Sequence, residues 1–442
     1  MKTKTWLLIA LTITISFNTF AKKRNATFPD GSPVESWFND TTHVDVNKLG
    51  KKYVITDYGV KSDSTLIQTE AIQKVIDTAS ADGGGVIVIP RGTFLSGSLF
   101  FKQGTHLHLD DGATLKGIDT IKYYAITRTR LEGQMINYFA ALVNASGVDG
   151  FTISGNGTIN GNGKKFWEEF WLRRKVNPKC TNLEALRPRL IYISNSKDVT
   201  VSDVNIINSG FWTNHIYHCN KVKFIGCHIF APTRGEVKAP SSDGIDIDWC
   251  SNVLIHGCYM NVNDDGVCLK GGKGTFVDKD STSGPVRNII VEKCHFNEAN
   301  GGITFGSEAF DCSNVIMRDC VFNGTSHLLL FKMRPDTPQS YQYVLAENLT
   351  GTVIKGIEIS PWTQFYNLLK RDDMPETIVS HVTMRNINVK CTKGFYQVRA
   401  SEKYKLSDFS FENISAQSAD TGFDTSIING CQVKDVKIDA LK

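Results

Sequence analysis

Residues 241–270 hold the densest acidic chemistry in the chain. Asp243-Gly244-Ile245-Asp246-Ile247 is echoed 22 residues later by Asp265-Gly266-Val267-Cys268-Leu269, and Asp264 stands directly before the echo. Each phrase alternates, with Ile245 and Ile247, then Val267 and Leu269, on one face of a short strand. An echo at this period reads as one turn of a β-solenoid. Stacked turns lie about 4.8 Å apart. Asp243 and Asp265 are therefore expected on adjacent coils, with Asp264 beside them. Three carboxylates on one patch repel one another, which raises at least one pKa, as acid–base chemistry requires. Asp246 and Asp248 share the strand of Asp243 and are expected to face solvent or a subsite.

Repeated strands must position these residues. Val148–Ile153, Val199–Val201, Val222–Ile225, Val253–Ile255, Ile289–Val291, Val315–Met317 and Val382–Met384 all read as the same strand in successive coils. Asn220, Asn252, Asn288 and Asn314 stand at or just before such strands. Asn tolerates left-handed turns and bonds its own backbone, so it suits a repeated corner. Ser64–Ala81 has helical spacing and is expected to cap one open end of the solenoid. Residues 118–189 interrupt the period, with Trp167 and Trp171 on a short helix over Lys164–Lys175 and several Arg residues. They read as long loops walling a groove. The fold class is an all-β, right-handed parallel β-helix with an N-terminal capping helix, in one domain over residues 22–442.

The first 21 residues have Lys2 and Lys4, an apolar run from Trp6 to Phe17 and small residues near Ala21. They read as a cleaved signal peptide, so the protein is expected to be periplasmic or secreted. No later stretch reads as membrane-spanning. The formal charge of +4 becomes +2 without those two lysines, too weak to argue for nucleic acid. Eleven Cys in an exported chain would suggest disulfides. Their placement argues otherwise: Cys227, Cys258, Cys294 and Cys320 close one repeated phrase, while Cys219, Cys250 and Cys312 each sit shortly before such a phrase. They read as ladders of buried free thiols. No metal, no cofactor and a monomer are expected.

These motifs resemble the pectin-degrading family 28 glycoside hydrolases: polygalacturonases, rhamnogalacturonan hydrolases and exo-acting galacturonosidases. The likeness runs from about Tyr53 to the end. It rests on Asp57-Tyr58-Gly59, the phrase from Gly83 to Phe94, Gly210–His215, Ser241–Asp246, Asn263–Val267 and Gly301–Glu308. By position, the resemblance makes Asp243, Asp264 and Asp265 the catalytic carboxylates. It implies inverting hydrolysis, in which a water enters opposite the leaving group and the carboxylates stand roughly 6.5–9.5 Å apart. Asp264 would be the general acid, and Asp243 and Asp265 would activate the water. Trp212, His215 and Glu308 would contact a galacturonate-containing pectic glycan.

Two departures stand out. Gly301 replaces the His of the family's polygalacturonases, and Leu330 replaces the Arg of an Arg-x-Lys that grips the galacturonate carboxylate. Lys332 remains, and Arg334 could supply the missing guanidinium, so both are expected to pair with that carboxylate. Gly301 is expected to leave room for a different neighbouring sugar, favouring rhamnogalacturonan fragments over homogalacturonan. The segment 118–189 and excursions at 231–242, 271–286 and 333–343 are expected to close one end of the cleft and make the enzyme exo-acting. An endo-polygalacturonase is the alternative. A lyase on this fold would need Ca²⁺ and a basic residue, and a non-catalytic glycan-binding β-helix would leave the three Asp without a task.

Overall fold

The computed structural model describes residues 27–441. The expected signal peptide lies outside them. The chain winds as a right-handed parallel β-helix, with 29 strands in one continuous parallel sheet that wraps round the core. Around the acidic motifs each coil contributes three strands. Asn214–Tyr217, Asn220–Ile225 and His228–Phe230 form one coil, and Ile245–Asp248, Ser251–His256 and Tyr259–Asn261 the next. Val267–Leu269, Val286–Glu292 and His295–Phe296 follow, then Ile303–Phe305 and Asp311–Arg318. The last coils are built from long strands that run round the corners, such as Ser340–Pro361 and Thr377–Val398.

The register follows from the alternation. Ile245 pairs with Val267 and Val267 with Ile303, while Ile247 pairs with Leu269 and Leu269 with Phe305. All six point into a single apolar cluster that runs from Tyr53 to Ile428. Each fully buried side chain of this size stabilises the coil by roughly 1.5–3 kcal/mol. That burial, repeated on every coil, is the main force holding the stack.

The cap differs from expectation at its start. The helix, α1, spans Thr69–Ala81 and buries Ile72, Val75, Ile76 and Ala79 against the first coils. Residues Asp63–Ile67 are instead a strand paired with Gly92–Ser96. The Asp63 side chain accepts from the backbone N–H groups of Thr65 and Leu66. Such a local turn competes with helix, so helical spacing alone placed the start too early.

Between 118 and 189 the structure is more regular than its sequence. Ile126–Leu131 and Gln134–Phe139 form an antiparallel hairpin outside the main sheet. Val143–Ser146, Thr152–Ser154 and Thr158–Asn160 form a full coil in register with its neighbours. A second helix, α2, spans Lys164–Val176. Trp167 is buried, with its indole N–H on Ser209 O, whereas Trp171 is largely exposed.

Two internal ladders appear as expected. All eleven Cys are free and ten are buried. The second cysteine set is interrupted, since Val286 pairs directly with Cys312. The Asn252 amide donates to Asn220 Oδ1 at 2.9 Å, Asn288 donates to Asn252 at 3.0 Å, and Asn314 donates to Asn288 at 3.1 Å. Asn252, Asn288 and Asn314 have φ of 56°, 60° and 59°, a left-handed conformation that Asn adopts at low cost. On the first coil Lys221 takes that conformation instead (φ 60°).

An unforeseen layer covers one outer face. Phe28 and Phe38, with Val34 and Trp37, pack on the outward-facing Leu254, Ile290, Ile316 and Leu345. This N-terminal segment explains why those strands are apolar on both faces.

Asn252→Ala removes two rungs of the ladder and strains a left-handed residue. It is expected to lower unfolding stability by about 2 kcal/mol. Asn252→Gly, which relieves the backbone strain, is expected to lose less. Urea unfolding of the two variants checks this; equal losses would show that strain contributes nothing.

Candidate active site

The strand register brings the three Asp residues together as the sequence suggested. Asp243 and Asp265 directly precede the glycines of two paired strands: Gly244 N donates to Asp265 O at 2.8 Å, and Gly266 N donates to Gly301 O at 2.8 Å. The coils approach closely here because the corners are glycine. A Cβ on Gly244 would lie 2.6 Å from Gly266 O, and one on Gly266 would lie 2.9 Å from Gly301 O. Carboxylate oxygens of Asp243 and Asp265 lie within 4.8 Å of each other, closer than the acid–base separation of an inverting pair. These two groups therefore share one side of the site. All three line a pocket of about 580 Å³, together with Trp212, Glu308 and Lys332.

Their environments differ sharply. Asp265 is buried and accepts from Asn300 Nδ2 at 2.9 Å, Thr304 Oγ1 at 2.7 Å and Lys332 Nζ at 2.7 Å. Burial works against its charge, but Lys332 and Thr304 outweigh it, and its pKa falls below the usual 3.8. Asp264 is partly open to the pocket, and one oxygen accepts only from the backbone N–H of Asp265, at 3.1 Å. Removal from water, then the charges of Asp243 and Asp265, push its pKa well above 3.8. Asp243 is likewise pushed well above 3.8, by burial and then by Asp246.

Lys270 is the hub that sequence reading missed. Its ammonium lies 3.8 Å from Asp243 Oδ2, 3.3 Å from Asp246 Oδ1 and 3.2 Å from Glu308 Oε2. It also stands 4.2 Å above the Trp212 ring. Burial opposes the charge on Glu308, but Lys270 and Lys273 outweigh it and hold Glu308 below its usual range. The signal was present in the sequence: Lys270 follows Cys268 by two residues, so it emerges on the same face as Cys268 and its partner Asp246.

Several expectations are corrected. Asp246 and Asp248 do point away from the core, but the outer face is roofed there, and both are fully buried. Asp246 sits on Lys270, and burial pushes its pKa up to about 7. Asp248 receives Arg130 Nε at 3.0 Å from the 126–139 hairpin. His215 does not reach the pocket. It is fully buried, takes Arg189 Nη1 on Nδ1 at 2.7 Å, and presents Nε2 to Asp248 at 3.4 Å. Burial drives its pKa to about 3, so it is neutral. Arg334 is also outside the pocket, clamped by both oxygens of Asp336 at 2.9 Å. Lys332 lines the pocket, but its ammonium is already held by Asp265. The room expected at Gly301 is filled: a Cβ there would lie 2.3 Å from Thr304 Oγ1, the hydroxyl that bonds Asp265.

The walls come from five segments. The hairpin turn supplies Glu132, and Asn182 Nδ2 donates to its Oε1 at 2.9 Å. The 231–242 loop supplies Thr233, Arg234 and Lys238, the connection at 298–300 supplies Glu298, Ala299 and Asn300, and Gly324 and Ser326 come from the strand Val321–Met333. Trp362 and Gln364 come from a strap over 362–376 that the sequence did not flag. Arg174 of α2 stands 5.8 Å from the centroid of the Phe365 ring on that strap. The excursion at 333–343 contributes no lining residue among those described.

Asp243, Asp265 and Cys268 could in principle offer three donor atoms to a metal. Lys332 and Lys270 already attend those carboxylates, and a thiol is a poor ligand for a hard cation. The set does not fit the Ca²⁺ that a lyase would need.

Asp246 gives a pH signature. Its pKa is raised from 3.8 to about 7 on folding, so its contribution to stability is full below 3.8 and is lost as pH rises through 7. Thermal unfolding at pH 5 and pH 8 should therefore show a smaller drop for Asp246→Asn than for wild type. An unchanged drop would remove Asp246 from the pH response.

A profile of the glycosyl hydrolases family 28 matches residues 84–437, which include every site residue named above. A Vitis vinifera protein named probable polygalacturonase is 28% identical over 227 residues, 49% of this chain and 44% of that protein. The endo-polygalacturonase of Pectobacterium carotovorum subsp. carotovorum is 26% identical over 380 residues, 82% of this chain and 87% of that protein. Among solved structures, a hyperthermoactive exopolygalacturonase from Thermotoga maritima shares the fold at a TM-score of 0.68 and 22% identity, over 87% of this chain and 90% of that one. The chain thus spans less than half the length of the Vitis relative and most of the other two.

Proposed function

The chain belongs to the glycosyl hydrolases family 28, and we propose that within it the protein cleaves α-galacturonosidic bonds of pectic glycans by inversion, from the chain end. The observation that carries this reading is the contrast between neighbours. Asp264 opens to the pocket and its pKa is pushed well above the usual 3.8, which favours its protonated form, while Lys332 and Thr304 hold Asp265 below it and favour its carboxylate. One is a proton donor and the other a base, two roles set by environment alone.

In this mechanism Asp264 gives its proton to the glycosidic oxygen as the bond to the anomeric carbon breaks. A water between Asp243 and Asp265 attacks that carbon from the opposite face and passes a proton to Asp265. Asp243, whose own pKa is raised, orients the water. The product has inverted configuration, and the proton on Asp265 returns to Asp264 through solvent. Lys270 and Lys332 stay paired with the carboxylates of the floor, offsetting part of their charge.

Exo action is supported by the walls. The hairpin, the 231–242 loop and the strap line the pocket, and Arg174 of α2 stands against Phe365 of the strap behind it. A chain terminus fits such a pocket better than a passing polymer. The named relatives include both endo and exo enzymes, so the mode rests on this enclosure. Because Thr304 fills the room expected at Gly301, the substrate is defined by the galacturonosyl unit at the chain end and not by the sugar beyond it. Residues 1–21 support export, which would place the activity in the periplasm or outside the cell. Among the described residues, no helix is long and apolar enough to cross a membrane.

Asp264→Asn removes the proton and keeps the shape. A loss on the order of 10²–10⁴ in kcat is expected, with folding intact. Wild-type turnover by this variant on a substrate that the enzyme cleaves would sink the assignment. For mode, a time course on long pectic substrate should release galacturonate monomer while viscosity falls slowly. Early mixed oligomers with a rapid viscosity drop would show an open groove.

A further inference from the structure

A substrate carboxylate has to enter a pocket already lined by six acidic side chains: Glu132, Asp243, Asp264, Asp265, Glu298 and Glu308. Like charges brought together in such a place repel strongly, so a cation must meet the newcomer. Four basic side chains line the same pocket: Arg234, Lys238, Lys270 and Lys332. Three are engaged. Lys270 serves Asp243, Asp246 and Glu308, Lys332 holds Asp265, and Arg234 pairs with Glu298. The family's guanidinium position is Leu330, and Arg334 is clamped elsewhere by Asp336. Lys238 is the lining cation for which no acidic partner is found among the described residues.

Lys238 also stands on an unusually fixed base. The Trp171 indole N–H donates to Lys238 O at 2.8 Å, and Ala239 N donates to Pro232 O at 3.0 Å, closing the loop on itself. Ser242 Oγ donates to Ala239 O at 3.0 Å. From beneath, Arg187 Nη1 donates to Pro240 O at 2.7 Å. Arg187 is fully buried between the rings of Phe170 and Phe211, at 4.4 and 4.5 Å from their centroids, and its Nε and Nη2 have no hydrogen-bond partner among the described residues. A buried guanidinium is costly to keep, and here it fixes the peptide that joins Lys238 to Asp243. The backbone that carries Lys238 is thereby held in place relative to the catalytic carboxylates, while its exposed side chain remains available to a ligand.

We infer that Lys238 is the specificity-determining cation that meets the uronate carboxylate of the substrate, with Trp171 and Arg187 as positioning residues for its loop. This rests on the galacturonate reading given above. It assigns the carboxylate to a residue on a loop, not to the strand position that Leu330 has left apolar. It also leaves Lys332 to Asp265.

The test is binding of galacturonate and of its methyl ester to Asp264→Asn protein, with and without Lys238→Ala, by titration calorimetry. The preference for the acid over the ester, read as the ratio of the two Kd values, should fall about tenfold on Lys238→Ala. Lys238→Arg should restore most of it, and added salt should shrink the difference, since Lys238 is exposed. Trp171→Phe, which keeps a ring but loses the N–H, should lower the preference in the same direction by less. An unchanged ratio in Lys238→Ala, or equal weakening of acid and ester, overturns the inference while wild-type turnover of pectic oligosaccharides upholds the substrate reading. No binding of galacturonate and no turnover by the wild type would overturn both.

Discussion

The parallel register between coils is the constraint on which everything else depends. Ile245, Val267 and Ile303 are paired inward, so Asp246, Cys268 and Thr304 are paired outward. A slip of one residue would expose the apolar set and bury the polar one. The apolar column prevents that slip, and the asparagine ladder at the corner reinforces it. Carboxylates on adjacent coils are then fixed to within a strand spacing. Glycine at 244 and 266 lets the backbones meet closely enough for Asp243 and Asp265 to share one side of a pocket.

Given that scaffold, two lysines separate chemically identical side chains into different roles. Lys332 and the Thr304 hydroxyl hold the Asp265 pKa down, whereas Asp264 has no cation in contact among the described residues and feels the charges of its two neighbours. Lys270 restrains the remainder of the cluster, touching Asp243, Asp246 and Glu308 at once. Removing either ammonium would leave buried carboxylates unpaired, which is generally worse than never having had the pair. The site is thus a balanced set of charges, and single substitutions in it act on several groups together.

The roof over this set is held by buried polar links together with an apolar cluster in which Leu131 and Tyr138 of the hairpin meet Phe211 and Trp212. Arg130 carries the hairpin onto Asp248, Asp248 meets His215, and His215 takes a hydrogen bond from Arg189. Arg189 Nη1 also donates to Arg130 O at 2.8 Å, closing the circuit. Trp212 lies above His215, its ring centroid 5.0 Å away, and faces Lys270. Such a network orients the hairpin and with it Glu132 on the pocket wall.

By itself the sequence determined the periodic part. Alternation at Ile245–Ile247 and Val267–Leu269 set the inward face, and the spacing of the two Asp-Gly phrases set the coils, so the β-helix and its three catalytic candidates were legible. Repeated Asn and Cys were legible for the same reason, since a residue that serves one coil serves the next. Alternation gives a direction, however, and not what lies in that direction. Asp246 and Asp248 point away from the core as read, and His215 pairs beside Asp246, but only the tertiary structure supplied the hairpin, Trp212 and Lys270 that cover them. Lys332 and Arg334 are two residues apart, yet one enters the pocket and the other is taken by Asp336. That choice depends on loops without periodicity, whose course is decided by contacts distant in sequence, such as Arg187 with Pro240 and Arg371 with Asp278 at 2.6 Å. The pocket's walls and its unengaged cation belong to that same class of information.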